Sequence, residues 1–257
     1  MLRTLTFLGL LTAPIPAIAQ SALDGVDLSS PAMTEAEITR ADVEAMIATG
    51  EVDLTRKKMN GLNLSGLDLS GATLRAARMN HVNLTGANLT EAILDQAWML
   101  EANLSGAKLN GASLFQTQMT KANLTGADLT NSRAAADFTR ANLEGANMTG
   151  ADFSADMKNQ SMGLMRGVLR KVNAEGANFT GAHLMRADLE FAELTGANFR
   201  DADLSMATLG GANFTGADVE GAQFRNADVT STRLIGLQGA NDTTFSKAKN
   251  LDRAFRK

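Results

Sequence analysis

The sequence predicts an all-β solenoid, a quadrilateral β-helix with four faces and an N-terminal helical cap. Three observations support this fold class. An apolar residue recurs at every fifth position from Leu54 through Leu129, a small residue usually lies two places before it, and similar residues recur every twenty positions. Self-similarity at a fixed period is typical of repeat architectures, in which stacked units bury a shared core.

The five-residue period fits short extended pieces joined by turns. It matches neither the 3.6-residue period of a helix nor the two-residue period of an unbroken strand. Residues two apart in an extended piece point the same way, so Ala87 and Leu89 should face inward while Asn88 faces outward. The Ser, Thr, Asn and Gly residues that follow each apolar centre suit the turns at the corners.

A second spacing, of twenty residues, gives the number of faces. Three columns share it: Met59, Met79, Met99 and Met119; Asn63, Asn83, Asn103 and Asn123; and Gly66, Gly86, Gly106 and Gly126. Like residues stack when successive coils lie directly above one another, so four pieces of five residues make one square coil. About nine coils at roughly 4.8 Å of strand spacing predict a rod of about 43 Å.

The repeated phrase resembles the A-(D/N)-L-x-x motif of the pentapeptide-repeat family, as in Ala122-Asn123-Leu124-Thr125-Gly126. The resemblance extends from Leu54 to Leu234. It implies that the β-helix is right-handed. It also implies an alternative function, because some members of the family mimic DNA and modulate a nucleic-acid enzyme, gyrase, which gives quinolone tolerance.

Residues 1–19 have the pattern of a signal peptide, with Arg3 before an apolar run from Leu5 to Leu11 and a small-x-small motif that predicts cleavage after Ala19. The apolar run is too short to cross a bilayer as a helix. We therefore expect a periplasmic or secreted protein without stable membrane insertion after cleavage. An uncleaved membrane anchor is the alternative interpretation, and export argues against an action on gyrase.

The remaining segments are assigned around the repeat. Residues 20–33 are predicted to be a linker, and residues 34–50 a helical cap, because Thr34 and Glu37 form a capping-box pattern before a helix from Glu35 to Ala48. The repeat covers 51–237, with a register break near 130–163. There the apolar centres occur one residue earlier than the five-residue period requires. An irregular run with one compensating extra residue then restores the original period at Leu164. Residues 238–257 suggest a C-terminal cap or tail, with a possible homodimer contact.

Composition and charge exclude several functions. The chain has no cysteine, which excludes disulfides, zinc–thiolate sites and a cysteine nucleophile. Its formal charge of −4, or −5 without Arg3, argues against nucleic-acid binding, which needs basic stripes. His81 and His183 are too far apart to pair, outward acids such as Asp188 and Asp228 are interpreted as solvated, and no common catalytic motif occurs. We predict neither an enzyme nor a cofactor.

One patch of surface departs from the regular repeat. Its residues should all point outward on neighbouring faces: Arg75, Arg78, His81, Ile93, Trp98, Leu100 and Phe115. Exposed aromatic and aliphatic side chains rimmed by charge mark interaction sites. We therefore predict an exported, non-enzymatic scaffold that binds an unidentified protein partner through this patch. Ordinary scatter of apolar residues over the surface is the alternative interpretation.

The irregular run provides a further alternative, soft-metal binding. Met157, Met162 and Met165 lie close together in the sequence, and thioether sulfurs bind copper(I). Met162 also fits an inward position of a resumed repeat, however, so no metal site is assigned. A mildly basic surface loop is the simpler interpretation of this segment.

Overall fold

The computed structural model describes residues 26–156, 165–241 and 244–257, so the predicted signal peptide and its cleavage after Ala19 lie outside the described residues. The chain winds as a square coil in which single residues of successive turns form parallel bridges. Asn63 pairs with Asn83, and Asn83 pairs with Asn103. This interval of twenty confirms four sides to each coil.

Four columns of bridging residues define four faces, named A to D in chain order. Face A contains Asp53, Thr73, Ile93, Ser113, Arg133, Asp152, His183, Asp203 and Gln223. Face B contains Lys58, Arg78, Trp98, Gln118, Asp137, Val168, Asp188, Thr208, Asp228 and Lys249. Face C contains Asn63, Asn83, Asn103, Asn123, Asn142, Asn173, Glu193, Asn213, Arg233 and Phe255. Face D contains Asp68, Asn88, Lys108, Asp128, Asn147, Asn178, Asn198, Asp218 and Gln238.

The small residue and the apolar centre of each side fill the interior. Ala87 and Leu89 are fully buried, whereas Asn88 between them is half-exposed, as the alternation predicts. Met79 and Met99 are both fully buried in the same column of centres. The backbone N–H of Met79 donates to the carbonyl of Trp98 at 2.6 Å, which confirms that the methionines belong to successive coils.

Phenylalanine replaces leucine at many centres of the C-terminal half. The rings of Phe179 and Phe199 stack at 4.7 Å with an interplanar angle of 3°, as their spacing of twenty predicts. They belong to a continuous series of ring contacts that comprises Phe138, Phe153, Phe179, Phe199, Phe214, Phe224 and Phe245. Such pairs contribute about 0.5–1.5 kcal/mol each beyond the area that they bury.

Most corners have a residue with left-handed φ two places after the centre. At the C/D corner that residue is glycine in each described coil: Gly66, Gly86, Gly106, Gly126, Gly145, Gly176, Gly196, Gly216 and Gly236. Glycine adopts positive φ without a Cβ clash. At the A/B and B/C corners the same position often carries a side chain, for example Gln96 (φ 62°) and Lys121 (φ 60°). Face B is therefore framed by side chains at both edges.

The register break begins at the A/B corner. Gln118 pairs with Asp137, an interval of nineteen instead of twenty. The missing residue belongs to the turn between Ala134 and Ala136, where the Ala136 N–H donates to the carbonyl of Ala134 at 2.8 Å. In this coil only Ala135 separates Ala134, the apolar centre of face A, from Ala136, the small inward residue of face B, whereas most other coils have two residues there.

The compensating insertion leaves from the same corner one coil later, and it is longer than predicted. The chain departs after Phe153 and returns at Gly167, whose N–H donates to the Phe153 carbonyl at 2.8 Å. Asp137 pairs with Val168, an interval of thirty-one, so this coil gains eleven residues and not one. The predicted restart of the repeat at Leu164 lies outside the described residues.

The predicted helix over Glu35–Ala48 is wrong at its start. A short helix α1 spans Pro31–Thr34, partly inside the segment 20–33 that was predicted to be a linker, and helix α2 spans Arg40–Thr49. A 3₁₀ helix spans Leu251–Arg253. Among the described residues, no helix has the length and apolar character needed to cross a membrane.

A different capping box from the predicted one starts α2. Thr34 ends α1, and Glu37 lies in the extended segment that follows. Thr39 accepts a hydrogen bond from the Asp42 N–H at 3.3 Å, and its own N–H donates to the Asp42 carboxylate at 2.8 Å. The segment before Thr39 stays extended because Ala36 forms an antiparallel bridge to the first coil.

Irregular segments pack against the core at both ends of the β-helix. Val43 of α2 is fully buried within the core cluster, and Ile38, Met46 and Ile47 pack against it. At the other end, Leu237, Phe245, Ala248, Leu251 and Ala254 pack against the same cluster. The ring of Phe245 lies 4.4 Å from that of Phe224 and so extends the aromatic series to the C-terminal end.

Helix α1 lies against the B/C corner and is held by two buried asparagines. The Asn60 Nδ2 donates to the carbonyls of Glu35 and Ala32 at 2.9 and 3.3 Å. The Asn80 Nδ2 donates to the carbonyl of Met33 at 3.1 Å, and the Met33 side chain is buried. The N-terminal segment therefore covers part of the side of the β-helix.

Replacing Phe199 by alanine is expected to lower the free energy of unfolding by about 3–5 kcal/mol, because a cavity replaces a ring that contacts two others. Phe199→Leu fills more of the space and should cost less. Urea unfolding followed by circular dichroism measures both losses. Equal midpoints for the two variants would contradict this account of the core.

Asn80→Ala should release α1, since a buried carbonyl left without its donor costs about 1–3 kcal/mol. The amide of Glu37, which donates to the Lys58 carbonyl at 2.9 Å, should then exchange faster with deuterium. Asn83→Ala, in the exposed ladder of face C, is the matched control. Unchanged exchange at Glu37 in the Asn80 variant would show that the asparagine does not hold the helix.

Candidate interaction surface

The predicted patch is spread over three sides of the β-helix and does not form one cluster. Arg75, Ile93 and Phe115 lie on face A or at the A/B corner, Arg78 and Trp98 on face B, and His81 and Leu100 at the B/C corner. Face B separates the first group from the last. The predicted residues therefore fall into two groups at opposite edges of face B, with Arg78 and Trp98 between them.

The expectation that Leu100 points into solvent is wrong, because the side chain is only 8% exposed. Leu100 follows Asn60 and Asn80 in one column, and these two asparagines hold α1. The Leu100 N–H donates to the Asn80 Oδ1 at 3.1 Å. The repeat gives the position of Leu100 correctly, but it does not give the burial of its side chain.

His81 is exposed but belongs to a separate ladder of charges along the B/C corner. Its Nδ1 lies 3.7 Å from the Glu101 carboxylate, and the Lys121 ammonium lies 2.7 Å from the same group. The hydrogen bond from Lys121 lowers the pKa of the Glu101 carboxyl, and the Lys121 and His81 charges add to this effect. We remove His81 and Leu100 from the candidate surface for these reasons.

The A/B corner is organised by Asp95, which sequence reasoning missed. Its carboxylate accepts from the Arg75 guanidinium at 2.8 Å, from the Ser113 hydroxyl at 2.5 Å and from the Phe115 N–H at 3.2 Å. An acid at a turn position after the centre gives no signal in the repeat by itself. Its role follows from the coil above, which supplies two of the three donors.

Phe115 is held from the coil above, and its neighbours Arg133 and Gln116 contact the ends of the excursion. The Arg133 guanidinium lies 4.3 Å above its ring, a cation–π contact, and also 3.5 Å from the Asp156 carboxylate. The Gln116 Nε2 lies 2.6 Å from the Met165 sulfur. Asp156 and Met165, at the two described ends of the excursion, therefore lie at the A/B corner and form one boundary of the surface that contains Phe115.

Trp98 lies half-buried in the centre of the remaining surface, on face B between Arg78 and Gln118. The Gln118 Nε2 donates to the carbonyl of Gln116 at 3.2 Å. Within the described part of the chain, the buried Gln118 Oε1 accepts no hydrogen bond. Buried polar atoms almost always have a partner, so an unpaired acceptor beside the tryptophan calls for an explanation. We define the Trp98 surface as Arg75, Arg78, Ile93, Trp98 and Phe115.

The soft-metal alternative is only partly visible. Met157 and Met162 lie outside the described residues, and the Met165 sulfur contacts an amide nitrogen of Gln116. Over residues 26–156, 165–241 and 244–257, no group of three or more His, Cys, Asp or Glu side chains could hold a metal ion.

Asp188 is not the solvated acid that its outward position predicts. It is 3% exposed, and its carboxylate lies 3.2 Å from the Arg166 guanidinium and 3.4 Å from that of Arg170. Thr208 lies between Asp188 and Asp228 in the bridging column, as expected. The two acids therefore do not form a pair, and the two arginines explain the burial of Asp188.

Solved structures that are similar to the chain include three pentapeptide-type proteins. Full-length QnrB1, a plasmid-mediated fluoroquinolone resistance protein, is 16% identical over 80% of this chain and 92% of that chain, with a TM-score of 0.47. Alr5209, a pentapeptide repeat protein from Nostoc Pcc 7120, is 30% identical over 40% of this chain and 84% of that chain, with a TM-score of 0.25. Rfr23, a pentapeptide repeat protein from the cyanobacterium Cyanothece 51142, is 22% identical over 47% and 87%, with a TM-score of 0.23.

No curated protein matches the chain. The family described as pentapeptide repeats matches with eight copies, at residues 68–99, 100–133, 134–155, 168–201 and 192–230. These ranges cover more than half of the 257 residues. The chain therefore belongs to the pentapeptide-repeat family, whose members fold as right-handed quadrilateral β-helices.

Proposed function

We propose that this chain is a non-enzymatic scaffold, periplasmic or secreted after cleavage at Ala19, that binds a protein partner through the Trp98 surface. The observation that carries the proposal is the position of Trp98, the chain's one tryptophan, which lies half-buried on face B between Arg78 and Gln118. A partner that covers the indole ring would remove its remaining apolar surface from water.

The composition of the Trp98 surface favours a protein partner. Tryptophan and arginine are the residues that most often dominate the binding energy of protein interfaces. Arg75 is already fixed by Asp95, and the Phe115 ring is fixed by Arg133. Side chains that are ordered before association lose less conformational entropy when the partner binds.

The DNA-mimicry alternative is less well supported by the side chains of face C. A mimic of the phosphate backbone needs rows of negative charge. Face C instead presents neutral carboxamides that bond to one another, as in the contact from Asn83 Nδ2 to Asn63 Oδ1 and that from Asn123 Nδ2 to Asn103 Oδ1, both at 3.2 Å. We therefore keep protein binding as the proposed function.

We also propose that α2 caps the N-terminal end of the β-helix. Val43 fills the core where the first coil has no coil below it, and an uncapped end would expose apolar residues and unpaired backbone. At the opposite end Phe255 is 54% exposed, which suits homodimerisation through the C-terminal tail, residues 238–257.

A photo-crosslinking residue at exposed Gln96, next to the Trp98 surface, is expected to capture one discrete partner in the periplasmic fraction. The double variant Trp98→Ala, Phe115→Ala should reduce the adduct about tenfold or more, since a hot-spot residue contributes at least about 2 kcal/mol. Phe191→Ala, which removes an exposed aromatic ring at the B/C corner, is the control. Undiminished capture by the folded double variant would refute the proposal.

The intact mass of the protein purified from the periplasmic fraction tests export, because cleavage by the signal peptidase should leave Gln20 as the first residue.

Val43→Asp is expected to detach α2, because a carboxylate cannot be buried in the apolar core without a partner. The uncapped end should make the protein associate in a concentration-dependent manner during sedimentation velocity. Ala45→Asp, at an exposed position of the same helix, should sediment like the wild type. Identical sedimentation of all three proteins would contradict the capping role. The mass of the wild-type particle in the same experiment shows whether it is a monomer or the proposed homodimer.

A further inference from the structure

We propose that the B/C corner in the middle of the β-helix binds an acidic polysaccharide along the long axis. Four exposed residues occupy its left-handed position in successive coils: Lys121, Arg140, Lys171 and Phe191. Backbone bonds such as that from the Arg140 N–H to the Arg170 carbonyl, at 2.9 Å, connect these coils. We call this set the corner row, and face B separates it from the A/B corner of the Trp98 surface.

The corner row carries positive charge that the described part of the chain does not neutralise. Lys121 pairs with Glu101 at 2.7 Å, but Arg140 and Lys171 form no ion pair with any described residue. The two free cations lie on consecutive coils, about 4.8 Å apart along the axis. A ligand with acidic groups along an extended chain would place one group against each cation.

Phe191 supplies a fixed aromatic platform at the end of the corner row. Its side chain is 52% exposed, and its ring lies over Gly211 of the next coil, where an added Cβ would meet ring carbons at 2.7 and 2.8 Å. The Lys171 Nζ lies 5.9 Å from the ring centroid. The partial negative charge on the face of the ring attracts the C–H bonds of a pyranose that stacks on it.

Face C, beside the corner row, favours a sugar ligand over a nucleic acid. The Asn142 Nδ2 donates to the Thr125 hydroxyl at 3.0 Å, and the Asn173 Nδ2 donates to the Asn142 Oδ1 at 3.1 Å. Each carboxamide nitrogen carries a second N–H, which can donate to a sugar hydroxyl. Proteins that bind single-stranded nucleic acids stack successive bases on several aromatic rings, whereas the corner row offers one.

The test is affinity electrophoresis of the full chain through gels that contain polygalacturonate, neutral dextran or single-stranded oligothymidylate. We expect retardation by polygalacturonate alone. The double variant Arg140→Ala, Lys171→Ala should weaken binding about tenfold because two charge-assisted contacts are lost. Phe191→Ala should weaken it to a similar extent, and Phe191→Trp should retain it.

The control variant is Lys108→Ala with Arg225→Ala, which removes two exposed cations from face D and the A/B corner and leaves the corner row intact. Its binding to polygalacturonate should equal that of the wild type. Circular dichroism checks that each variant is folded. No retardation, equal retardation by dextran, stronger retardation by oligothymidylate, or an equal loss in the control variant would each overturn the proposal. The Trp98 surface is unchanged in every variant, so crosslinking at Gln96 remains independent of this result.

Discussion

The hydrogen bond from one coil to the next is the constraint on which this structure depends. The Leu64 N–H donates to the Asn83 carbonyl at 2.7 Å, and the same contact recurs from Leu84 to Asn103 at 2.7 Å. Each side of a coil is bridged through a single residue, so no side is stable without the coil above or below it. Buried backbone groups must be paired. Any change in the number of residues per coil therefore has to be absorbed at a corner, where the chain is not part of a bridge.

This constraint divides the surface into regular and variable sides. Faces C and D carry amides and hydroxyls that bond to one another, and glycine occupies the C/D corner between them. Face B is framed by corners that carry side chains, and α1, the Trp98 surface and the corner row all lie on it or at its edges. The regular side supplies a rigid support, and the variable side presents different chemistry at each coil.

The sequence predicts those features that repeat. The spacing of twenty is enough to derive the four faces, the stacked methionines and the contact between Phe179 and Phe199. It fails where a segment outside the repeat packs on the β-helix, as α1 does on Asn60 and Asn80, and it does not give the burial of Leu100. The burial of Asp188 depends on Arg166, whose position follows the excursion and has no fixed phase. The candidate site was therefore only half predictable, because the repeat gives the column of each residue but not what covers it.

The short corner at Ala134–Ala136 has a consequence for cooperativity. Leu114 and Phe153 flank Ala134 in the same column of centres, and the series of aromatic rings starts at Phe138. In a repeat protein each coil contacts only its two neighbours, so the coils stabilise one another only through these interfaces. The aromatic series starts in the coil whose corner is short, so the interface between neighbouring coils changes there in both geometry and side-chain composition. We therefore expect the coils before and after this interface to unfold less cooperatively with each other than the coils within either half.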